Sequence, residues 1–465
     1  MSASPPSLDA QAAIAALPPR LRPLLEGPVA PTLLRLAAPN ILVMLLQAAF
    51  TTLDAVFVGW IGSHALAGVS LVFPLVMLMQ TMSAGGMGGG VSSAIARALG
   101  AGRRADADAL VAHAVYIALA MAACFSATML LAGPAIYRAM GGRGETLASA
   151  LTYSHVIFAA AAIYWLFNTF ASAIRGSGNM AVPAAVMCAN ALIYIALAPA
   201  LVLGLGPLPR LGIAGAAAAS VIAFSFGVLV LGGYLISGRG LVRLTFPLGR
   251  LRGSLLREIL RVGAPGSVNT VFTNLTVVML TGLVGPLGAS SLAGYGLGAR
   301  LEYLQLPLVF GLGTALVTMV GANAGAGLTQ RAERVAWVGS AMAGSLTGSL
   351  GVFAAIWPRA WLGLFTTDAD VIAAGTRYLS TVGPVYVFFG LGLALYFACQ
   401  GAGDLRWPLL VGLARFLVAV LGGWLAIHVL GGGLAGLCSA ITVSFVVYGL
   451  GMAAAFRAGA WRRAA

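Results

Sequence analysis

The sequence predicts an all-α integral membrane protein of twelve transmembrane helices, set in two six-helix lobes related by a pseudo-two-fold axis. Three observations predict this: very little charge, apolar stretches long enough to cross a bilayer, and an internal duplication with a period of about 225 residues.

The 465 residues are 60% hydrophobic and only 8% charged, with a mean hydropathy of +0.97. A water-soluble chain of this length needs about three times that charge to cover its surface. Apolar runs of about 20 residues are long enough to cross a hydrocarbon core roughly 30 Å thick. They must be helical there, because no water satisfies the backbone. The spans are expected near residues 36–60, 65–96, 109–131, 147–171, 182–205 and 212–236. A second set follows near 262–284, 290–320, 335–357, 378–399, 408–429 and 433–456. This divides the chain into a tail (1–33), an N-lobe (34–236), a linker (237–261), a C-lobe (262–456) and a second tail (457–465). The second and eighth spans exceed what a bilayer needs and are expected to protrude or bend. Gly85–Gly90 (GGMGGG) gives the second span weak helix propensity.

Net charge is +14, and every basic residue is Arg. With the N-terminus inside, nineteen of these fall on the inner side and five on the outer, while Arg300 and Arg415 lie within helices. This asymmetry places both termini in the cytoplasm of a multi-pass protein of the inner (plasma) membrane. It also accounts for the basic charge without a nucleic-acid partner. The linker, with six arginines, reads as an inner-surface segment beside anionic lipid. The four cysteines lie in apolar stretches with no CxxC pair, so no metal site, cofactor or disulfide framework is expected. Residues 1–30 are polar and Pro-rich and lack a signal-peptide core.

The duplication appears as paired landmarks in the same order. GWIGSHALAG (Gly59–Gly68) pairs with GPLGASSLAG (Gly285–Gly294), and Ala38-Pro39 with Ala264-Pro265. RGSGNMAVP (Arg175–Pro183) pairs with QGAGDLRWP (Gln400–Pro408), and GIAG (Gly212–Gly215) with GLAG (Gly433–Gly436). Six helices per half is an even number, so both halves enter the membrane in the same direction and the axis relating them lies along the membrane normal. Two parallel lobes suit alternating access by rocking about a central site. A membrane-embedded enzyme would show clustered His, Asp or Cys, and none occurs, so an enzyme is not expected.

Ionisable groups within spans are functional candidates, because burying charge in lipid is costly. Asp54 lies deep in the first span and Glu302 in the eighth, and both are candidates for cation coupling. Asn40, Gln47, Thr51 and Asp54 fall on one helical stripe, expected to face a polar cavity. Asn190 and Tyr194 in the fifth span and Asn274 in the seventh are further cavity-lining candidates. Arg415 is expected to snorkel toward the inner interface.

At these residues the chain resembles the multidrug and toxic compound extrusion (MATE) family. The resemblance spans about residues 34–455. It rests on the paired landmarks, on LDAVFVGWIGSHALAG (Leu53–Gly68), on VFGLGTALVTMVGANAGAG (Val309–Gly327) and on LGIAGAAAAS (Leu211–Ser220). It implies a MATE-like fold and antiport: export of small organic compounds, cationic or amphipathic, in exchange for inward H+ or Na+. Asp54 matches the acid that the family uses in its first helix for cation coupling. Many members carry Asn-x-x-x-Asp-Pro late in the fifth helix, where this chain has Tyr194 to Pro199, and the acids of the seventh and tenth helices are missing. These departures favour H+ over Na+. The expected partners are organic substrates, the coupling ion and membrane lipid, with the protein acting as a monomer. The alternative is a flippase for a lipid-linked precursor on a related two-lobe plan.

Overall fold

The computed structural model describes residue 19 and residues 21–205, 209–245 and 249–464, without the side chains of residues 47–52, 54–56, 63 and 463–464. Every regular element among the described residues is a helix.

In the first half, α1 (Arg22–Glu26) and α2 (Val29–Gly59) lead in. Next, α3 (Ser63–Thr81) runs through a π-helical turn at Met82–Met87 into α4 (Gly88–Gly100), and together they carry one 37-residue span, His64–Gly100. The turn falls on the glycine-rich stretch that has least helix propensity, where an i→i+5 bulge is cheapest. Then come α5 (Arg104–Ala139), α6 (Gly144–Ala159) and α7 (Ala161–Gly176), the last two being one span bent by 49°. The half closes with α8 (Ala181–Leu203) and α9 (Ile213–Ile236). In the second half, α10 (Gly253–Val284), α11 (Ala289–Gly325) and α12 (Thr329–Ile356) precede a short α13 (Pro358–Leu362). Helices α14 (Ala369–Val382) and α15 (Tyr386–Ala402) form one span, followed by α16 (Arg406–His428) and α17 (Gly433–Arg457). Among the described residues, eleven elements are long and apolar enough to cross a membrane, and the bent α6–α7 pair makes the twelfth.

The helices form two compact units, Pro39–Gly263 and Ala264–Ala465, the second joined by the segment up to Ala38. The repeat is visible in the packing of each. In the first unit, a Cβ on Gly176 would lie 2.6 Å from the Ser92 carbonyl oxygen. In the second, a Cβ on Gly401 would lie 2.6 Å from the Val317 carbonyl oxygen. Gly176 and Gly401 are repeat mates, as are Ser92 and Val317. In both units the fourth span of the half meets the second at a distance that only glycine allows, as membrane helix interfaces favour.

The unit boundaries fall at repeat-equivalent points, Ala38/Pro39 within α2 and Gly263/Ala264 within α10. The leading segment therefore packs with the later residues: Asn323 Nδ2 donates to the Leu24 carbonyl (3.0 Å), the Arg331 guanidinium donates to the Gly27 carbonyl, and Leu24 and Leu33 are buried. The 237–261 segment packs in the first unit. Val242, Leu244 and Ile259 are buried, and Arg97 pairs with Glu258 at 3.6 Å. The Arg243 N–H donates to Asp108 Oδ1 (2.6 Å) and the Arg252 N–H to His113 Nε2 (2.8 Å). Because Nε2 accepts, His113 is neutral and its Nδ1–H donates to the Ala109 carbonyl (2.7 Å).

Candidate transport site

In the first unit, α2 presents Asn40, which is 2% exposed. The side chains of Gln47, Thr51 and Asp54, further along the same stripe, lie outside the described residues. On α8, Asn190 is fully buried, with its amide oriented so that the nitrogen donates to the Ala223 carbonyl (2.9 Å) and the Val186 carbonyl (3.2 Å). It thus ties α8 to α9. One turn on, Tyr194 is fully buried in an apolar cluster with Phe57, Leu201 and Ala223, its ring 6.1 Å from that of Phe57. Asn168 Nδ2 donates to Ser83 Oγ at 2.7 Å, fastening α7 to the π-turn, and the Tyr164 hydroxyl meets Ser220 Oγ at 2.8 Å. Met44, Gln80, Phe167, Asn168, Arg175 and Phe224 line a cavity of about 30 Å³. That is room for one or two waters, and its walls combine aromatic and polar groups.

The second unit is built around charge. On α11, Glu302 Oε1 accepts hydrogen bonds from the Tyr378 hydroxyl of α14 and from the Tyr386 hydroxyl of α15, the latter at 3.3 Å. Gly298, one turn earlier, lets the Tyr378 ring lie against α11 where any larger residue would collide with it. The Tyr295 ring meets that of Tyr378 edge to face at 5.4 Å. A carboxyl holding two phenolic donors is fixed in place and presents an acceptor. Arg415 of α16 is linked to Glu302 through Tyr386, whose hydroxyl bonds the carboxyl and whose ring lies 6.0 Å from that of Phe445. Its guanidinium does not follow the helix toward an interface, as sequence reasoning expected. It lies over the rings of Phe445, Tyr448 and Phe389, at 5.0, 5.1 and 5.4 Å from their centroids. Three π faces offer a cation more than free extension of the stem would. Asn274 of α10 is exposed, and its Nδ2 donates to the Thr270 carbonyl of its own helix at 2.8 Å.

The structure thus gathers Glu302, Tyr378, Tyr386 and Arg415 within one unit, and Asn168, Asn190 and Tyr194 within the other. Sequence reasoning missed Tyr378 and Phe445 entirely. Neither has a local signal, because aromatic residues in apolar helices are ordinary packing, and only their meeting with Glu302 and Arg415 sets them apart.

A family model described as MatE matches residues 39–200 and 265–425, one block in each repeat. An FAD transporter of Shewanella oneidensis is 26% identical over 400 residues, 86% of this chain and 88% of that protein. A probable multidrug resistance protein NorM of Deinococcus radiodurans is 29% identical over 448 residues, 91% of this chain and 94% of that protein. Among solved structures, the outward-facing conformation of a multidrug resistance MATE family transporter of the MOP superfamily superposes with a TM-score of 0.86 at 25% identity, covering 96% of this chain and 99% of that one. With the matched blocks filling well over half of the sequence, this chain belongs to the MatE family of multi-pass membrane transporters.

Proposed function

We propose that the protein is a secondary-active antiporter that exports small organic compounds in exchange for inward H+, by rocking of its two lobes. The observation that carries this reading is that an apolar helix of each repeat bears a carboxyl, Asp54 on α2 and Glu302 on α11. In a family of transporters, such a group is the economical way to carry a proton through lipid. The names of the relatives support organic cargo, an FAD transporter and multidrug exporters among them. The aromatic linings of both units suit cationic and amphipathic aromatic compounds.

Asp54 is the first coupling site. A proton taken from the outer side neutralises it, changes how α2 packs and drives release of the substrate. Inward movement of one net charge, as when one proton exchanges for a neutral compound, is worth about 2.3 kcal/mol per 100 mV, so about 150 mV supports roughly a 300-fold gradient, whereas one-for-one exchange with a monocation moves no net charge and is driven by ΔpH. Glu302 is the second titratable position. The test is efflux of a fluorescent organic cation from proteoliposomes with ΔpH and ΔNa+ imposed separately. ΔpH alone should drive transport, and Asp54→Asn should reduce it to the level of protein-free liposomes. Transport driven by ΔNa+ alone, or undiminished in the variant, would overturn the reading.

A further inference from the structure

Among the described residues, four arginines lie over aromatic rings, and three of them use one ring each. Arg300 covers Phe365 (5.5 Å), Arg457 covers Trp337 (5.4 Å) and Arg462 covers Trp461 (5.4 Å). Such single contacts are common surface packing. Arg415 differs in kind. Three rings from two helices surround its guanidinium within 5.4 Å, and Tyr386, whose ring lies 6.0 Å from that of Phe445, hydrogen-bonds the carboxyl of Glu302. One turn along α11 from Glu302, Gln305 is 1% exposed, and neither of its amide atoms has a partner among the described residues. A buried amide in that state leaves a donor and an acceptor without the hydrogen bonds that burial normally requires. Aromatic faces, a fixed carboxyl and an amide carbonyl on adjacent turns are the groups that recognise an organic cation bearing N–H donors.

We propose that this box is a binding site for a small organic monocation of the guanidinium or primary-ammonium type, with Arg415 as its tethered occupant. The side chain that fills the box is itself a guanidinium, so the chain supplies an example of the ligand chemistry. Arg415 is only partly buried, so the stem has room to swing aside. A tethered occupant competes with a free ligand. The apparent affinity is lowered by the fraction of time that the site is self-filled, and removing the occupant removes that penalty. The proposal rests on the reading of the protein as a transporter of organic cations and assigns a second position at which it holds them.

The experiment is equilibrium binding of radiolabelled methylguanidinium to the full chain in nanodiscs of neutral lipid, with tetramethylammonium as the competitor that lacks N–H donors. No gradient is imposed, so failure of proton-driven antiport would appear in flux and not here. Arg415→Ala should bind methylguanidinium at least tenfold more tightly than the native protein. Adding Phe445→Leu and Tyr448→Leu, or Glu302→Gln, should reverse the gain, and tetramethylammonium should compete poorly. No gain in Arg415→Ala, or a gain that survives loss of both rings, overturns the proposal. Should Arg415→Ala fail to fold, Arg415→Met keeps the stem and carries the same expectation. In the native protein, saturating methylguanidinium should speed modification of Arg415 by phenylglyoxal several-fold, and an unchanged rate also overturns the proposal.

Discussion

In the Pro39–Gly263 unit the contacts around Asn168 and Asn190 are neutral, Asn168 to Ser83, Asn190 to two carbonyls and Tyr164 to Ser220, and buried charge enters only elsewhere among the described residues, at Arg97 with Glu258 and at Arg175 with Ser172. Its repeat partner is fastened by charge, with Glu302 held by two tyrosines and Arg415 enclosed by three rings. Yet Gly176 and Gly401 are seated against the same backbone position at the same distance. The duplication has kept the close helix contacts, which any side chain larger than hydrogen would break. It has let the polar contents of the two units diverge. Packing at a helix crossing is fixed by shape, whereas a buried polar site needs only to be internally satisfied, so the two repeats can satisfy it differently. What this teaches is that the units of a duplicated transporter are alike as scaffolds and need not be alike as sites.

Exchanging the acids breaks the comparison most severely. Asp54→Asn should abolish ΔpH-driven efflux, while Glu302→Gln should leave a measurable rate, lower by about tenfold, roughly the weight of 1.4 kcal/mol. Equal loss from both would make the units functional equivalents. The shared scaffold predicts the opposite symmetry in stability. Gly176→Val and Gly401→Val should each cost about 1–3 kcal/mol through overpacking. Matched falls in the midpoint of thermal unfolding in detergent would support this, and a tolerated valine at either site would deny the shared contact. A smaller effect is expected from Tyr378→Phe, which removes one donor from Glu302 at a cost of about 1–1.5 kcal/mol. The same thermal midpoint reads it. Smallest and most local is His113→Phe. It removes the acceptor for the Arg252 N–H, so hydrogen exchange at that amide should accelerate by about tenfold while the core helices keep their protection. Unchanged exchange would mean that His113 does not hold that amide.

Much of the architecture was legible in the sequence. Length and hydropathy placed the spans, because a bilayer imposes one length on every helix that crosses it. The second span was expected to protrude or bend because of its length, and the π-turn at Met82–Met87 within it overlaps the Gly85–Gly90 run of weak helix propensity. The bend within the fourth span left no such mark. Ala160 lies in a run of alanines, the residue of highest helix propensity, so local propensity does not mark the break. The site was less legible. Glu302 stood out because an acid in lipid is rare. Its tyrosine partners and the rings around Arg415 did not, since they are scattered over α14, α15 and α17.

The sequence by itself determined that the chain is a duplicated bundle of membrane helices, roughly where each span lies and which few ionisable groups lie within them, while the helices run past the expected spans, as α5 (Arg104–Ala139) does past 109–131. These follow from one-dimensional quantities: hydropathy over a window, charge counted by loop and repeat spacing. Tertiary structure alone decided where the leading segment and the 237–261 segment attach, each packing with residues hundreds of positions away or on the far side of a span. It alone decided that Arg415 lies among rings and Glu302 between phenols. Those outcomes depend on which helix faces meet, and along an almost uniformly apolar helix the sequence barely marks one face from another.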